Sequence, residues 1–361
     1  MSDSVSEVGS EFALRPSEGG DLTRAVRKLV GPRTNLLVGS GREALRLLLY
    51  DAAARGRTVV AFPAFICPAL LTALHPSQTA RFLPTTSELA PTAESIRGLL
   101  RTVYPDDLAI VAAPYFGAAY PAETRDALKS AWAAGIEVIE DRSHSMFSHE
   151  AQLDTPRGFA SLRKWGALPD GGVAYGTAVD ELATSEPAGG ASYELRRDGM
   201  RAKARFLDEG EGDKEAYLDQ LARGEQALDE VSGVRPITDE SLAILSSWNL
   251  GTLRSARQSN ARRLMQGLRK IDGVEPLVRF GPDDTPLGVP VLCDDRDRIR
   301  KGLIAQQIYC PIHWVLPEAV GADIFVHEHD IQNRILTLVC DQRYDKVDMK
   351  RTLEVLGRLA R

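Results

Sequence analysis

Apolar residues recur at two different spacings along the first half of the chain. At residues 43–54 (EALRLLLYDAAA) they return every three or four positions, the spacing of a helix face. Residues 58–62 (TVVAF) are instead a short β-branched run stopped by Pro63, which reads as a buried strand. The same reading predicts helices over 67–74, 93–102 and 123–134. It predicts strands over 81–83, 108–112, 136–139 and 173–175, with Glu140 and Asp141 ending the strand at 136–139. Short, wholly apolar strands alternating with helices call for a mainly parallel sheet covered on both faces.

The second half reads differently. Residues 180–231 carry more charge and predict two helices broken near Gly210 and Gly212. One long helical stretch follows over 241–272, ending at Gly273. Strands are predicted at 289–293 and 335–339, and a last helix at 347–359. The expected fold is α/β. A large domain over residues 1–235, with an N-terminal arm, holds the mainly parallel sheet between helices. A smaller α+β domain takes 236–361. A length of 361 residues fits two domains, because single cores stop growing near ~250–300 residues.

Composition narrows the function classes. Hydrophobic residues make up 43% and charged residues 26%, which is ordinary for a globular protein. The net charge of −6 argues against non-specific nucleic-acid binding, which needs a basic face. No apolar run approaches the ~18 residues of a membrane span. Residues 1–20 lack the basic and apolar regions of a signal peptide. The four cysteines, Cys67, Cys293, Cys310 and Cys340, are scattered without a CxxC pair, as free thiols in a reducing, cytoplasmic compartment would be. The six histidines show no metal-ligand spacing. His327 and His329 come closest and read as a solvated loop, so no metal is expected.

Three motifs carry candidate chemistry. Gly39-Ser40-Gly41-Arg42-Glu43 precedes the first long helix. Glycines there admit a ligand close to the backbone, and a helix N-terminus suits a phosphate, although glycine before a helix is also the mark of a plain turn. Asp141 closes an apolar strand, where open α/β sheets bind ligands. A carboxylate there is costly to bury unless it meets a cation such as a protonated pyridine nitrogen. The alternative is that Asp141 caps the following turn. Lys164 lies in a weakly polar stretch followed by Gly171 and Gly172, a turn into a strand. The alternative for it is an ordinary surface lysine.

Taken in order, these motifs resemble those of fold-type I pyridoxal-phosphate enzymes, and within them the DegT/DnrJ/EryC1/StrS aminotransferase family. The counterparts are Gly41-Arg42, Pro63-Ala64-Phe65, Glu140-Asp141-Arg142-Ser143-His144, and Lys164 followed by Gly171-Gly172. The similarity continues through Asn260-Ala261-Arg262-Arg263-Leu264 to Ile312-His313-Trp314 and Asp341-Gln342-Arg343-Tyr344.

The resemblance implies pyridoxal 5'-phosphate as cofactor. It implies that Lys164 carries the cofactor as a Schiff base and acts as the general base and acid. Asp141 would pair with the pyridine nitrogen and His144 would hydrogen-bond the phenolic oxygen. The backbone amides of Gly41 and Arg42, with the Ser161 hydroxyl, would hold the phosphate. It further implies a homodimer with sites at the interface, and transfer of an amino group from an amino acid such as glutamate or glutamine to a keto-sugar or natural-product ketone or aldehyde. The chain departs from the family at several points. Cys67 stands where an aromatic residue usually stacks on the cofactor, and Arg42 where a threonine is usual. Phe159 replaces a serine, which leaves Ser161 as its substitute. The asparagine that the family lends from the neighbouring subunit has no counterpart near Arg235. His313 reads as a substrate contact or a structural histidine, and Arg343 as a carboxylate grip or a structural ion pair. Elimination, decarboxylation and oxidation begin from the same cofactor linkage and form the alternative reading. A cofactor-binding protein without catalysis would be expected to have lost Lys164 or Asp141, and both are present.

Overall fold

The computed structural model describes residues 7–16, 19–148, 153 and 155–361. The expectation for residues 1–20 therefore falls partly outside the described residues. The strands in chain order are β1 (Val8–Gly9), β2 (Asn35–Val38), β3 (Val59–Pro63), β4 (Thr79–Leu83), β5 (Leu108–Ala112), β6 (Glu137–Asp141), β7 (Arg157–Ser161), β8 (Gly172–Gly176), β9 (Val274–Pro276), β10 (Gly288–Cys293), β11 (Ile308–Tyr309) and β12 (Ile335–Val339).

Seven of these form the main sheet, in the order β2-β8-β7-β6-β5-β3-β4. The run from β7 to β4 is parallel throughout, while β8 is antiparallel to both β7 and β2. Every residue of β5, β6, β7 and β8 is buried, which explains why β5 reads as an unbroken apolar run. The helix Gly41–Ala54 packs on β7 and β8 through the fully buried Leu45 and Leu48. Each such side chain contributes about 1.5–3 kcal/mol relative to exposure. The helices Ala93–Thr102 and Ala122–Ala133 pack on each other near β5 and β6.

The sheet topology gathers the motifs. β6 and β7 run in parallel, so Asp141 and Ser161 both end at the carboxyl edge. β8 runs back, which places its first residue, Gly172, opposite Ser161. β2 runs antiparallel to β8, so Val38 pairs with the same Gly172 and the Gly39–Gly41 turn leaves from that edge. Residues far apart in the chain thus meet at one end of four adjacent strands.

A second, three-stranded antiparallel sheet has the order β12-β10-β9. The helices Leu250–Leu268, Arg296–Ala305 and Lys346–Leu359 cover it around Leu264, Leu303 and Leu356. β1 pairs in parallel with β11, tying the N-terminal segment to this C-terminal part.

Several predicted elements differ from the observed ones. The single helical stretch over 241–272 is two helices, Asp239–Ser246 and Leu250–Leu268. Asn249 separates them because its side chain caps the second helix, accepting from the Thr252 N–H at 3.1 Å. Residues 67–74 form a 3-10 helix over Pro68–Ala73. Glu140 and Asp141 belong to β6 itself. His327 and His329, read as a loop, lie in the helix Val326–Arg334. Among the described residues, no helix is long and apolar enough to cross a membrane, and no three His, Cys, Asp or Glu side chains cluster as metal ligands would. The four cysteines are free thiols.

Candidate active site

Asp141 is the last residue of β6 and is buried. Its Oδ1 accepts from the Ser143 N–H at 2.8 Å, and the Ser143 hydroxyl accepts from the Ser161 N–H at 2.9 Å. The ends of β6 and β7 are therefore stitched together through one serine. Lys164 ends the 3-10 turn Leu162–Lys164 that follows β7. Its position is fixed by its neighbour Trp165, which is fully buried. The indole N–H of Trp165 donates to the Ser143 carbonyl at 3.0 Å, and the Arg257 guanidinium lies 4.6 Å from its ring. The lysine is thus mounted on the same serine that orients Asp141.

The Gly39–Gly41 turn is shaped by close backbone packing. The Gly171 N–H donates to the Gly39 carbonyl at 2.7 Å. A Cβ on Gly172 would lie 2.2 Å from the Ser40 carbonyl group, and one on Gly41 would lie 2.8 Å from the Ser161 Cβ. The Gly171-Gly172 pair therefore serves the turn, by letting Ser40 press on β8. The Ser40 hydroxyl caps the helix Gly41–Ala54, accepting from the Glu43 N–H at 3.1 Å. The N–H groups of Gly41 and Arg42 are the first two of the helix, which no carbonyl within the helix can serve.

These side chains enclose a cavity of about 150 Å³. All seven residues that the sequence assigned to the cofactor line it: Gly41, Arg42, Cys67, Asp141, His144, Ser161 and Lys164. Tyr115, Ser143, Arg163 and Trp314 line it too, and the motif reading gave them no role there. Tyr115 follows Pro114, the residue that stops β5, and its hydroxyl donates to the Phe65 carbonyl at 2.5 Å. Trp314 reaches in from beyond β11, with its ring 5.2 Å from that of His144 and 5.4 Å from that of Tyr115. Its place beside His313 was the only available signal.

The electrostatics of the cavity are those of a buried site. Burial pushes the Asp141 carboxyl above its ordinary range, against the pull of the Ser143 hydrogen bonds and the Lys164 charge. Burial, then Lys164, then His313 hold His144 well below 6.5, so its ring is neutral. Its Nδ1 accepts from the Phe116 N–H at 3.4 Å, which leaves the proton on Nε2. Burial also raises the Cys67 thiol, against the charge of Lys164.

The remaining candidates lie to one side. His313, Arg343, Ser161, Arg163, Lys164 and Trp314 all line a second cavity of about 720 Å³. The His313 Nδ1 is 2.9 Å from the Thr337 hydroxyl, and its ring centre is 5.4 Å from that of His144. Burial and the Lys164 charge press His313 down to about 3. The Arg343 fork is engaged. It pairs with Asp341 at 2.8 Å, donates to the Ser10 and Glu11 carbonyls at 3.1 and 3.0 Å, and lies 4.1 Å from the Phe12 ring. It straps the N-terminal segment down. Arg235 is buried behind the Gly39–Gly41 turn, paired with Glu43 at 2.9 Å.

No protein-family model matches the chain, and no curated protein matches its sequence. Solved structures do match. The aminotransferase TlmJ from Streptoalloteichus hindustanus superposes with a TM-score of 0.65 at 17% identity, over 95% of this chain and 92% of that one. A DegT DnrJ EryC1 StrS aminotransferase from Brucella abortus gives 0.64 at 16% identity, over 96% and 92%. The PLP-form of the putative sugar aminotransferase Spr1654 from Streptococcus pneumoniae gives 0.67 at 13% identity, over 98% and 93%. The chain shares their fold. The fold class expected from the sequence, a mainly parallel α/β sheet with a further C-terminal α+β layer, is the observed one, and the motif resemblance points to the same group of proteins.

The cavity residues also fit a pyridoxal phosphate. A buried carboxylate with a raised pKa needs a cation, and a pyridinium nitrogen is one. A helix start with two unserved N–H groups, packed against Ser161, suits a phosphate. Lys164 lines the same cavity as both.

Proposed function

We propose that this protein is a pyridoxal-phosphate-dependent aminotransferase in which Lys164 carries the cofactor covalently. The observation that supports it best is convergence. Gly41, Asp141, His144, Ser161 and Lys164 come from the ends of three strands, β2, β6 and β7, and line one cavity. The bound cofactor would supply an electron sink that stabilises a carbanion at the substrate's Cα.

Each protein group then has a task its surroundings allow. The Gly41 and Arg42 N–H groups and the Ser161 hydroxyl bind the phosphate. Asp141, with its orientation set by Ser143, keeps the pyridine nitrogen protonated. His144, neutral and protonated on Nε2, donates to the phenolic oxygen. Lys164 would serve as the general base that takes the Cα proton and as the general acid that gives it back. His313 faces the same space from the second cavity and contacts substrate. Arg343 acts instead as the clasp of the N-terminal strap.

On the same reading, residues 1–235 form the cofactor-holding domain and 236–361 the smaller domain. The protein works as a cytoplasmic homodimer. Four free thiols accord with a reducing compartment, and the exposed Val315, Ile324 and Val326 beyond Trp314 give an apolar surface beside the site for a second subunit.

The test is a single-turnover experiment on the purified protein loaded with pyridoxal phosphate. Borohydride should fix the pyridoxyl group to Lys164, as read by peptide mapping. An amino donor alone should convert the cofactor to its pyridoxamine form with one equivalent of keto acid released. Labelling of another lysine would overturn the site. Continuous release of ammonia, carbon dioxide or peroxide without that conversion would replace transamination by elimination, decarboxylation or oxidation.

A further inference from the structure

The side chains of Arg42 and Arg163 have no part in the phosphate contacts described so far, yet both line the cavity that holds Lys164. Each is pinned by one end of its guanidinium to a single helix, Lys214–Asp229. Arg42 Nη1 donates to Asp229 at 2.6 Å and to the Leu228 carbonyl at 3.1 Å. Arg163 donates from Nη1 and Nη2 to Glu225 at 2.8 and 3.3 Å. Glu225 and Asp229 lie one turn apart on that helix and therefore share a face. The two arginines are thus held as parallel arms off neighbouring carboxylates.

What remains is the Nε–H of each. Both atoms are buried and neither meets an acceptor. The Arg42 side chain is only 10% exposed and that of Arg163 only 15%. A buried guanidinium N–H without an acceptor is costly, more so than a neutral one, because the charge is left undersolvated. Arg57, Arg142 and Arg334 also leave an Nε unpaired, but none of them lines this cavity. Arg42 is also the second residue of the helix Gly41–Ala54, whose first N–H groups no carbonyl within the helix serves. Glu225 is shared between Arg163 and Arg196, and Arg196 also pairs with Glu11 at 3.1 Å, so Arg163 does not hold Glu225 to itself.

We propose that Arg42 and Arg163 form a two-arginine clamp whose Nε–H groups bind the phosphate of the ligand in this cavity, alongside the Gly41 helix start. The clamp deepens the proposed function and rests on it for the identity of the phosphate ester as pyridoxal phosphate. Glu225 and Asp229 position the arms and leave the Nε–H groups to the dianion.

The test compares pyridoxal phosphate with pyridoxal, which lacks only the phosphate. Dissociation constants are read from the absorbance of the Lys164-linked form in wild-type protein, Arg42→Gln, Arg163→Gln and Asp229→Asn. Losing a hydrogen bond to a charged group costs about one to two powers of ten in affinity. Each arginine variant should therefore weaken pyridoxal phosphate by about 10- to 100-fold and leave pyridoxal within about twofold. Asp229→Asn keeps Arg42 and removes its competitor, so it should bind pyridoxal phosphate at least as tightly as wild type. Equal weakening of both ligands by the arginine variants would overturn the clamp, as would unchanged affinity for the phosphate ester. It would also fall if Asp229→Asn behaved like Arg42→Gln, because the Arg42–Asp229 pair would then be only a brace. Inorganic phosphate, titrated calorimetrically against the cofactor-free protein, tests the clamp separately and should lose its binding in both arginine variants. If wild type binds inorganic phosphate through these arginines but forms no Lys164-linked species, the proposed function fails and the clamp stands. If it forms the linked species and binds phosphate independently of both arginines, the clamp fails and the function stands.

Discussion

Replacing Asp141 by Asn separates the charge of this side chain from its shape. The amide keeps an oxygen where Oδ1 now accepts the Ser143 N–H at 2.8 Å, so the stitch between β6 and β7 survives. What is lost is attraction for a protonated pyridine nitrogen. At a contact distance of ~3 Å and an effective dielectric of ~20 that attraction is roughly 5 kcal/mol. Desolvation of the two ions takes part of it back. If about half remains, some 2.5 kcal/mol, the variant should be slower by roughly 70-fold in the half-reaction with an amino donor. Rapid-mixing absorbance on cofactor-loaded protein reads that step without the second substrate. The cofactor-free protein gives an independent check with a determined sign. Burial raises the Asp141 pKa in the folded state, so its contribution to stability is fully present below the ordinary carboxylate value and is lost as pH rises through the raised one. Cofactor-free Asp141→Asn should therefore melt higher than wild type at neutral pH, and the difference should shrink in acid. A half-reaction within twofold of wild type would remove Asp141 from the mechanism. A lower neutral melting temperature would refute the argument that the carboxylate is held there at a cost.

Two further outcomes follow from the same geometry. Gly41→Ala should weaken cofactor binding by at least about tenfold and lower the melting temperature, because a Cβ there would lie 2.8 Å from Ser161 Cβ and 2.9 Å from its backbone nitrogen; dialysis against pyridoxal phosphate and a thermal melt check both. His313 is depressed to about 3 by burial and by Lys164, so the stability it contributes is present above about 6.5 and is lost as pH falls from there toward about 3. His313→Gln should flatten the acid limb of a melting-temperature profile across that window, and an unchanged limb would show that the imidazole stays charged.

Much of this site is legible in the sequence because strand ends are legible. Asp141 follows an apolar run, Lys164 precedes a glycine pair and Gly41 opens a periodic helix, so each motif sits at a boundary that hydrophobic spacing marks. β7 is not legible. Its sequence, RGFAS, has two apolar residues and no period, and it is a strand because β6 and β8 bury it from either side. β2 is shorter still and is recruited by β8. The role of Ser143 is hidden because its partners, Ser161 and Trp165, come from the next strand and the turn after it. For Arg343 the residue type leaves two readings open, and the fold shows its fork spent on Asp341 and the backbone of Ser10 and Glu11.

The departures from the family pattern line the cavity itself, and their placement bears on what this chain acts upon. The groups beneath the cavity are retained: Asp141 at the end of β6, Lys164 after β7 and the glycines that let Ser40 close on β8. Two of the changed positions, Cys67 and Arg42, line the cavity away from the strand end that carries Asp141, and a third, Phe159 on β7, pairs with Asp141. Lys164 and Trp314 also line the larger cavity, to which three distant segments contribute: Gly9–Phe12, Ile312–Trp314 and the end of β12. The first of these is held by side chains with no catalytic task. Tyr344 donates to the Gly9 carbonyl at 3.0 Å, Lys203 to the Glu11 carbonyl at 2.7 Å, and Arg343 to the carbonyls between them. A wall fixed in this way resists reshaping by a ligand, so it selects substrates by the shape it already has. On the proposed reading the floor determines which bond to Cα is broken, while the strap, His313 and Trp314 determine which molecule can bring that bond to Lys164. Identity below 20% to the matched aminotransferases is compatible with a shared floor, because the floor needs few residues, and it leaves the wall free to differ.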